Sequence, residues 1–241
     1  MQRYFVKKVN EQFQLLENDF HHIKDVMRIK DKGEIICIYN EQSYLCQIRY
    51  LNHSYKIEMI KELNQNTELC KKVILYQALI KNDKMDFIVQ KATELGVSDF
   101  YPTFFSRSVI KVDKDKEDSK RNRYEKIAKE ACEQSHRQVL PNIHTPISIK
   151  DIILEENTLG LMAYENNQIE NSFSCALKNL SHYDKIAVII GPEGGFSENE
   201  VQSLIEKGFQ SISLGKRILR SETAALYTLS VIAYYLEGIA L

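Results

Sequence analysis

A strongly apolar strand that runs straight into a glycine-rich turn constrains the fold of this chain more than any other feature. Residues 186–190 are apolar without interruption, which is typical of a strand covered on both faces of a sheet. The turn Gly-Pro-Glu-Gly-Gly-Phe follows at residues 191–196. Ser197 and Glu200 then form a capping box, which predicts a helix that ends near Gly208.

The turn itself favours close contact between the backbone and a ligand. Gly191, Gly194 and Gly195 permit positive φ and close approach of N–H groups, while Pro192 stiffens the entry. A tight turn without any ligand explains the same residues. The lysine of a phosphate-binding P-loop is absent, and the Gly-x-x-Gly-Gly spacing differs from a dinucleotide fingerprint. We therefore expect a ligand that is not held by its phosphates.

A second glycine turn follows closely along the chain. Residues 211–214 are typical of a short strand, which Gly215 ends. The run Ile-Leu-Arg-Ser-Glu-Thr-Ala at residues 218–224 leads into an apolar helix, with Ser221 suited to its start. Residues 223–236 favour a buried or interface helix over a membrane span, because Ser230 interrupts them and acidic residues flank them.

The periodicity of the chain changes near residue 70. Short strand-like runs separated by asparagines predict a small β-barrel or sheet over residues 1–70. Strands and helices alternate over residues 71–241, which predicts an α/β domain with a mainly parallel sheet.

Charge and cysteine content bear on whether the protein binds RNA, holds a metal ion or contains disulfides. The net charge is -1, but residues 71–137 carry 15 basic and 11 acidic side chains, so a local basic face for RNA is compatible with the sequence. The 5 cysteines form no Cys-x-x-Cys pair and have no histidine at metal spacing, which indicates reduced thiols and no metal site. The sequence shows no signal peptide and no clean membrane span, so we expect a cytoplasmic protein without membrane contact.

Several motifs in the same order resemble the SPOUT class of methyltransferases. They include the two glycine turns, Leu-Gly-x-x-Ile-Leu-Arg-x-Glu-Thr-Ala among them, and also His-His-Ile-Lys-Asp-Val-Met-Arg at residues 21–28 and Glu-Ala-Cys-Glu-Gln-Ser-His-Arg at residues 130–137. Segments 84–97 and 106–108 match as well, so the resemblance covers nearly the whole chain. The closer match is to the bacterial family that methylates N3 of a uridine in 16S rRNA.

This resemblance implies a SPOUT-type parallel sheet with a C-terminal trefoil knot over residues 71–241, and a PUA-like β-barrel RNA-binding domain over residues 1–70. It also implies S-adenosylmethionine as cofactor, a homodimer, and 16S rRNA within the 30S subunit as substrate.

The resemblance assigns the cofactor to the two glycine turns. The expected cofactor-binding residues are Met162, Gly191, Pro192, Glu193, Gly194, Gly195, Leu214, Gly215, Ile218 and Leu219. An ordinary core methionine is the alternative for Met162. Methylation at N3 requires removal of a proton and stabilisation of the charge that spreads onto O2 and O4. Arg220 is the expected cationic stabiliser. Either Glu222 or Glu193 is the expected base, although an acidic residue in a first helical turn also suits the helix dipole without any catalytic role.

Basic and amide side chains elsewhere are candidates for RNA contact. His22 and Arg28 resemble RNA-contact positions of the family, although either could have a local structural role. Arg107 follows a predicted strand, and Gln134 and Arg137 end the next predicted helix, positions where α/β proteins gather ligands. Capping of that helix end is the structural alternative for Arg137. Two other functions remain open: a SPOUT enzyme that acts on tRNA or on a ribose 2′-OH, and a non-catalytic RNA-binding protein of ribosome assembly.

Overall fold

The chain forms two compact units. The computed structural model describes residues 1–16, 19–52, 54–108, 117–164 and 173–239. The first unit combines Met1–Glu68 with Cys132–Leu140, and the second combines Leu69–Ala131 with Pro141–Leu241. The chain therefore enters the first unit twice, which no sequence pattern indicates.

A curled five-stranded sheet in the order β2-β1-β3-β4-β5 forms most of the first unit. Its strands are β1 (Arg3–Val9), β2 (Gln12–Leu15), β3 (Gly33–Tyr39), β4 (Gln42–Leu51) and β5 (Ser54–Leu63). Neighbours are antiparallel except for β1 and β3, and β2 also contacts β5, so the sheet approaches a closed barrel. Asn10 with Glu11, and Asn40 with Glu41, have positive φ at both central turn positions, as two-residue type I′ hairpins require.

A short helical segment connects β2 to β3. It consists of α1 (Asp19–His21) and one π-helical turn, His22–Val26. Ile23 from this turn is fully buried in the same apolar cluster as Tyr4 and Ile35 of the sheet. The segment is therefore anchored by the core of the first unit, while Lys24 and Asp25 remain exposed.

The second unit is built on a sheet of parallel strands, which confirms the predicted α/β class. The strands are β6 (Lys72–Ala78), β7 (Asp99–Phe104), β8 (Asn142–Ile143), β9 (Ile147–Ser148), β10 (Thr158–Ala163), β11 (Lys185–Ile190) and β12 (Phe209–Ile212). Their order is β12-β10-β11-β6-β7-β8, and β9 also pairs with β7. The central strand β11 is buried from Ile186 onward, as its apolar sequence predicts. All carboxyl ends lie at one edge.

Helices cover this sheet: α2 (Asn82–Glu94), α3 (Glu117–Ser135), α4 (Phe173–Lys178), α5 (Glu198–Glu206) and α6 (Ser221–Ile239). The predicted capping box is present, because the N–H of Ser197 donates to Glu200 Oε2 at 2.7 Å and the N–H of Glu200 donates to Ser197 Oγ at 3.4 Å. The strand expected over 211–214 starts earlier, since Phe209 already pairs with Gly160 of β10. Within the described part of the chain, no helix combines the length and apolarity that a bilayer crossing needs.

Candidate active site

A cavity of about 360 Å³ opens at the carboxyl ends of β10, β11 and β12. The last residues of these strands, Ala163, Ile190 and Ile212, form part of its wall. Two turns complete the wall: residues 191–196 after β11 and residues 214–221 before α6. Ligands of parallel α/β sheets bind at this edge, so the two glycine turns meet where a ligand site is expected.

The glycines of the first turn are required for two different reasons. A Cβ on Gly191 would lie 2.8 Å from the ring of Phe196. That ring is buried and packs edge-on against Phe105 and Tyr164. Gly195 has open space around it but a φ of +67°, a conformation that side chains disfavour. Gly191 therefore makes room for an aromatic wall of the cavity, and Gly195 allows the chain to turn.

A buried hydrogen-bond network joins the two turns. Ser221 Oγ donates to the carbonyl oxygen of Gly191 at 2.7 Å, and Gln77 Nε2 donates to Ser221 Oγ at 2.9 Å. Both polar side chains are buried. The sequence signals for this network are Ser221 at the start of α6 and an amide side chain, Gln77, in the mostly apolar strand β6. The network fixes the first turn of α6 against the end of β11.

Glu193, one of the two candidate bases, lies on the cavity wall and shares Lys84 with the other, Glu222. Lys84 Nζ lies 3.3 Å from Glu193 Oε1 and 3.1 Å from Glu222 Oε1. The hydrogen bond to Glu222, followed by that to Glu193, raises the pKa of Lys84. Arg220 lies on the cavity wall and is exposed. Arg220 and Glu193 therefore line the same cavity, and Lys84, which the sequence did not predict, joins Glu193 to Glu222.

Arg107, a predicted RNA contact, touches the glycine turn. Its Nη1 donates to the carbonyl oxygens of Gly194 at 3.2 Å and Phe196 at 3.0 Å. The neighbouring N–H of Ser106 donates to Glu200 Oε1 at 2.7 Å. Desolvation alone would raise the pKa of Glu200, yet hydrogen bonds from Ser106 and Ser197 outweigh it and lower that pKa. The loop after β7 thus supports the turn from outside.

Most of the predicted cofactor residues line the cavity: Gly191, Pro192, Glu193, Gly195, Leu214, Gly215, Ile218 and Leu219. Gly194 lies beside Arg107, since a Cβ there would be 3.1 Å from Arg107 Cβ. Met162 is fully buried in the core cluster that includes Ala187 and Ile189, and it is Ala163 that reaches the cavity. Lining residues that the sequence did not assign to the cofactor or to catalysis are Ala163, Tyr164, Ile190, Phe196, Ile212, Arg217, Ser221 and Ala224.

Three of the predicted RNA contacts lie on the surface of the first unit or close to it. Arg28 and Gln134 are exposed. Arg28 also has a φ of +50°, a left-handed conformation that costs a residue with a long side chain about 1 kcal/mol or more. His22 is half-buried, and its Nδ1 lies 3.0 Å from Tyr4 Oη. Arg28 and Gln134 are thus the more accessible of the three.

Arg137 is engaged inside the first unit. Its side chain is buried, and Nε and Nη2 donate to Glu68 Oε2 at 3.0 and 2.6 Å. Glu68 Oε1 accepts from the backbone N–H groups of Gln138 and Val139 at 2.9 and 3.2 Å. A buried ion pair with these added hydrogen bonds ties residues 137–139 to the end of the first segment, and it occupies the guanidinium group.

Comparison with known proteins identifies the family. The model of the RNA methyltransferase domain matches residues 67–233. The chain is 36% identical to ribosomal RNA small subunit methyltransferase E of Bacillus subtilis (strain 168), over 98% of each protein. This chain belongs to the ribosomal RNA small subunit methyltransferase E family. The relative of that name from Mesomycoplasma hyopneumoniae (strain 232) is 37% identical, over 95% of this chain and 98% of the relative.

The methyltransferase E fold also matches in three dimensions. A crystal structure of ribosomal RNA small subunit methyltransferase E from Neisseria gonorrhoeae, bound to S-adenosyl methionine, has a TM-score of 0.83 at 26% identity and covers 97% of each chain. Every residue that lines the cavity falls within the part matched by the RNA methyltransferase model. The methyltransferase E relatives extend over the first unit as well.

Proposed function

We propose that this chain transfers the methyl group of S-adenosylmethionine to N3 of a specific uridine in 16S rRNA. The observation that carries the proposal is the cavity between the two glycine turns, with Arg220 and Glu193 on its wall, in a chain whose full-length relatives are named small subunit methyltransferase E. The proposal makes the cavity the cofactor site and its mouth the place of reaction.

The residues present fit such a cofactor. A volume of about 360 Å³ lies within the range of small-molecule sites. Ile190, Ile212 and Leu219 offer apolar surface to an adenine ring, and the backbone of the two glycine turns offers N–H and C=O groups to its edge. Ile218 is 87% exposed on the cavity wall, an apolar surface that a bound ring would cover. The carboxylate of Glu193 suits a sulfonium cation.

The side chains at the mouth suit proton removal and charge stabilisation. When bound, S-adenosylmethionine supplies an electrophilic methyl group, and its sulfur keeps the electrons of the broken C–S bond. The proton on uridine N3 passes to a carboxylate, and the N3 electron pair forms the new bond to carbon. Arg220 stabilises the negative charge that develops on O2 and O4.

Glu193 is our choice for the proton acceptor. It lies on the cavity wall, whereas Glu222 is absent from that wall and binds Lys84 through both carboxylate oxygens, at 3.1 and 3.3 Å. The carboxylate of Glu193 is also the more exposed, at 43% against 17%. Glu193 lines the cavity and binds Lys84 through Oε1, so its Oε2 is better placed to accept a proton from the substrate.

We further propose that the near-closed barrel of the first unit is a PUA-like RNA-binding domain. Arg28 and Gln134 are its contacts, because both side chains are exposed and both can donate hydrogen bonds to phosphate or base edges. His22 supports the same surface through Tyr4. In the second unit the last segment forms a trefoil knot, a proposal that rests on the resemblance to SPOUT methyltransferases. The substrate is 16S rRNA within the 30S subunit in the cytoplasm.

The same proposal includes a homodimer. A groove on the second unit is lined by Phe87, Tyr227 and Tyr234, which are 44%, 44% and 80% exposed. Exposed aromatic side chains beside the apolar Leu226 and Val231 are typical of a protein interface. Light scattering after size-exclusion chromatography tests this: Tyr234→Glu converts a dimer to a monomer, and a monomeric unmodified protein contradicts it.

The experiment for the activity is incubation with S-adenosylmethionine and 30S subunits that lack this modification, followed by mass spectrometry of digested nucleosides. N3-methyluridine is the expected product. Cofactor binding with no 30S product would point to tRNA or to a ribose 2′-OH, which the same digestion detects with tRNA as substrate. No cofactor binding would leave a non-catalytic RNA-binding protein.

A further inference from the structure

Lys84 joins three segments that are far apart in the chain. It lies near the start of α2, Glu193 belongs to the glycine turn after β11, and Glu222 belongs to the first turn of α6. Its ammonium group lies within 3.3 Å of both carboxylates. Glu193 and Glu222 are also the charged groups that interact with Lys84 electrostatically. The lysine therefore connects both ends of the segment that forms most of the cavity wall.

This arrangement differs from an ordinary surface ion pair. The pair of Lys91 and Glu94 on the same helix is local, three residues apart, with both side chains about one-third exposed. Glu222 is 17% exposed and holds Lys84 through both oxygens, whereas the hydrogen bond to Glu193 uses Oε1. The lysine is anchored on the α6 side and presents its ammonium group to Glu193.

We propose that Lys84 is a positioning residue for methyl transfer: anchored by Glu222, it fixes the Glu193 carboxylate where the N3 proton is accepted. The inference rests on the proposed function. In the proton-transfer step Lys84 keeps all its protons, and Glu193 gains the one that leaves N3. The hydrogen bond to Glu222 raises the pKa of Lys84, so its ammonium group stays charged while Glu193 changes charge.

Substitutions at the three positions test the inference kinetically. In Lys84→Met, kcat falls on the order of 100-fold because the acceptor is misplaced, while the KM for S-adenosylmethionine stays within about threefold. Lys84→Arg retains a larger kcat than Lys84→Met, because the guanidinium group of arginine can donate hydrogen bonds to both carboxylates. Adding Lys84→Met to Glu193→Gln costs less than about twofold further, since the lysine acts through that carboxylate. Fully additive losses, or a Lys84→Met kcat within about twofold of wild type, would overturn the inference.

A second readout separates failure of this inference from failure of the proposed function. Amide hydrogen exchange of residues 193–196 rises about tenfold in Lys84→Met, because one support of the turn is lost. Lys91→Met is the matched control: it removes an ion pair from the same helix and leaves both exchange and kcat unchanged. If the wild type methylates no 16S rRNA but the exchange difference appears, the proposed function fails, while the support of the glycine turn by Lys84 is confirmed. Unchanged exchange in Lys84→Met refutes that role.

Discussion

Ser221→Ala is the most direct perturbation of the network that joins the two turns. The substitution removes the donor to the Gly191 carbonyl and the acceptor for Gln77 Nε2. Gln77 is buried, and its Nε2 retains only the hydrogen bond to the Ala78 carbonyl at 3.1 Å. One donor of a buried amide is therefore left without a partner, which is more costly than the loss of an exposed hydrogen bond.

The expected loss in the free energy of unfolding is about 2 kcal/mol. A net hydrogen bond contributes about 1 kcal/mol, and the orphaned donor costs about 1 to 3 kcal/mol. Because the Gly191 carbonyl is released at the cavity wall, we also expect S-adenosylmethionine to bind about tenfold more weakly.

Urea unfolding followed by circular dichroism and calorimetric titration of the cofactor measure the two effects. Ser181→Ala, an exposed site in the same unit, is the control and stays within about 0.5 kcal/mol of wild type. Adding Gln77→Leu to Ser221→Ala recovers part of the stability, because an apolar side chain leaves no donor unpaired. Wild-type stability and cofactor affinity in Ser221→Ala would refute the structural role assigned to this network.

Three further substitutions test other parts of the site. Arg220→Ala lowers methylation on the order of 100-fold or more in the nucleoside assay but leaves cofactor affinity nearly unchanged, and near-normal turnover would exclude Arg220 as the charge stabiliser. Gly191→Ala forces the Phe196 ring to shift and costs about 2 kcal/mol of stability with weakened cofactor binding; a crystal structure with an unmoved ring would contradict this. Glu200→Gln changes how the free energy of unfolding depends on pH. Folding lowers the pKa of Glu200 from its ordinary value of 4.5, so the ionised carboxylate stabilises the folded protein fully above pH 4.5. This stabilisation is lost as the pH falls through the lowered pKa. The variant is therefore less stable at neutral pH and loses less stability on acidification, which unfolding series at several pH values measure.

Local sequence patterns predicted those parts of the site that depend on interactions between residues close together in the chain. The apolar run of β11, the capping box of Ser197 and Glu200, and the turn glycines depend on residues a few positions apart. Such features are readable from periodicity and turn chemistry. The position of the cavity followed, because parallel strands gather their carboxyl ends at one edge.

Local sequence patterns could not predict which distant residues pair with one another, or which face of the sheet a strand residue occupies. Met162 and Ala163 are neighbours in a strand covered on both faces, so apolarity alone does not tell which of them reaches the cavity. Arg107 and Lys84 look like ordinary surface cations until their partners are known, and those partners lie more than 80 residues away. Charge type predicts what a side chain can bind, while the fold decides which partner it meets.

The two-segment composition of the first unit has a consequence for its synthesis. Glu68 and Ser43 obtain their partners Arg137 and Gln138 from the later segment, Cys132–Leu140. While the nascent chain is shorter than 140 residues, Glu68 has no guanidinium partner and the buried side of Phe5 and Ile38 lacks Cys132. The N-terminal barrel therefore cannot complete its core as soon as its last strand leaves the ribosome. It must wait for residues 69–131 of the other unit and then for its own second segment, a delay of several seconds at typical elongation rates.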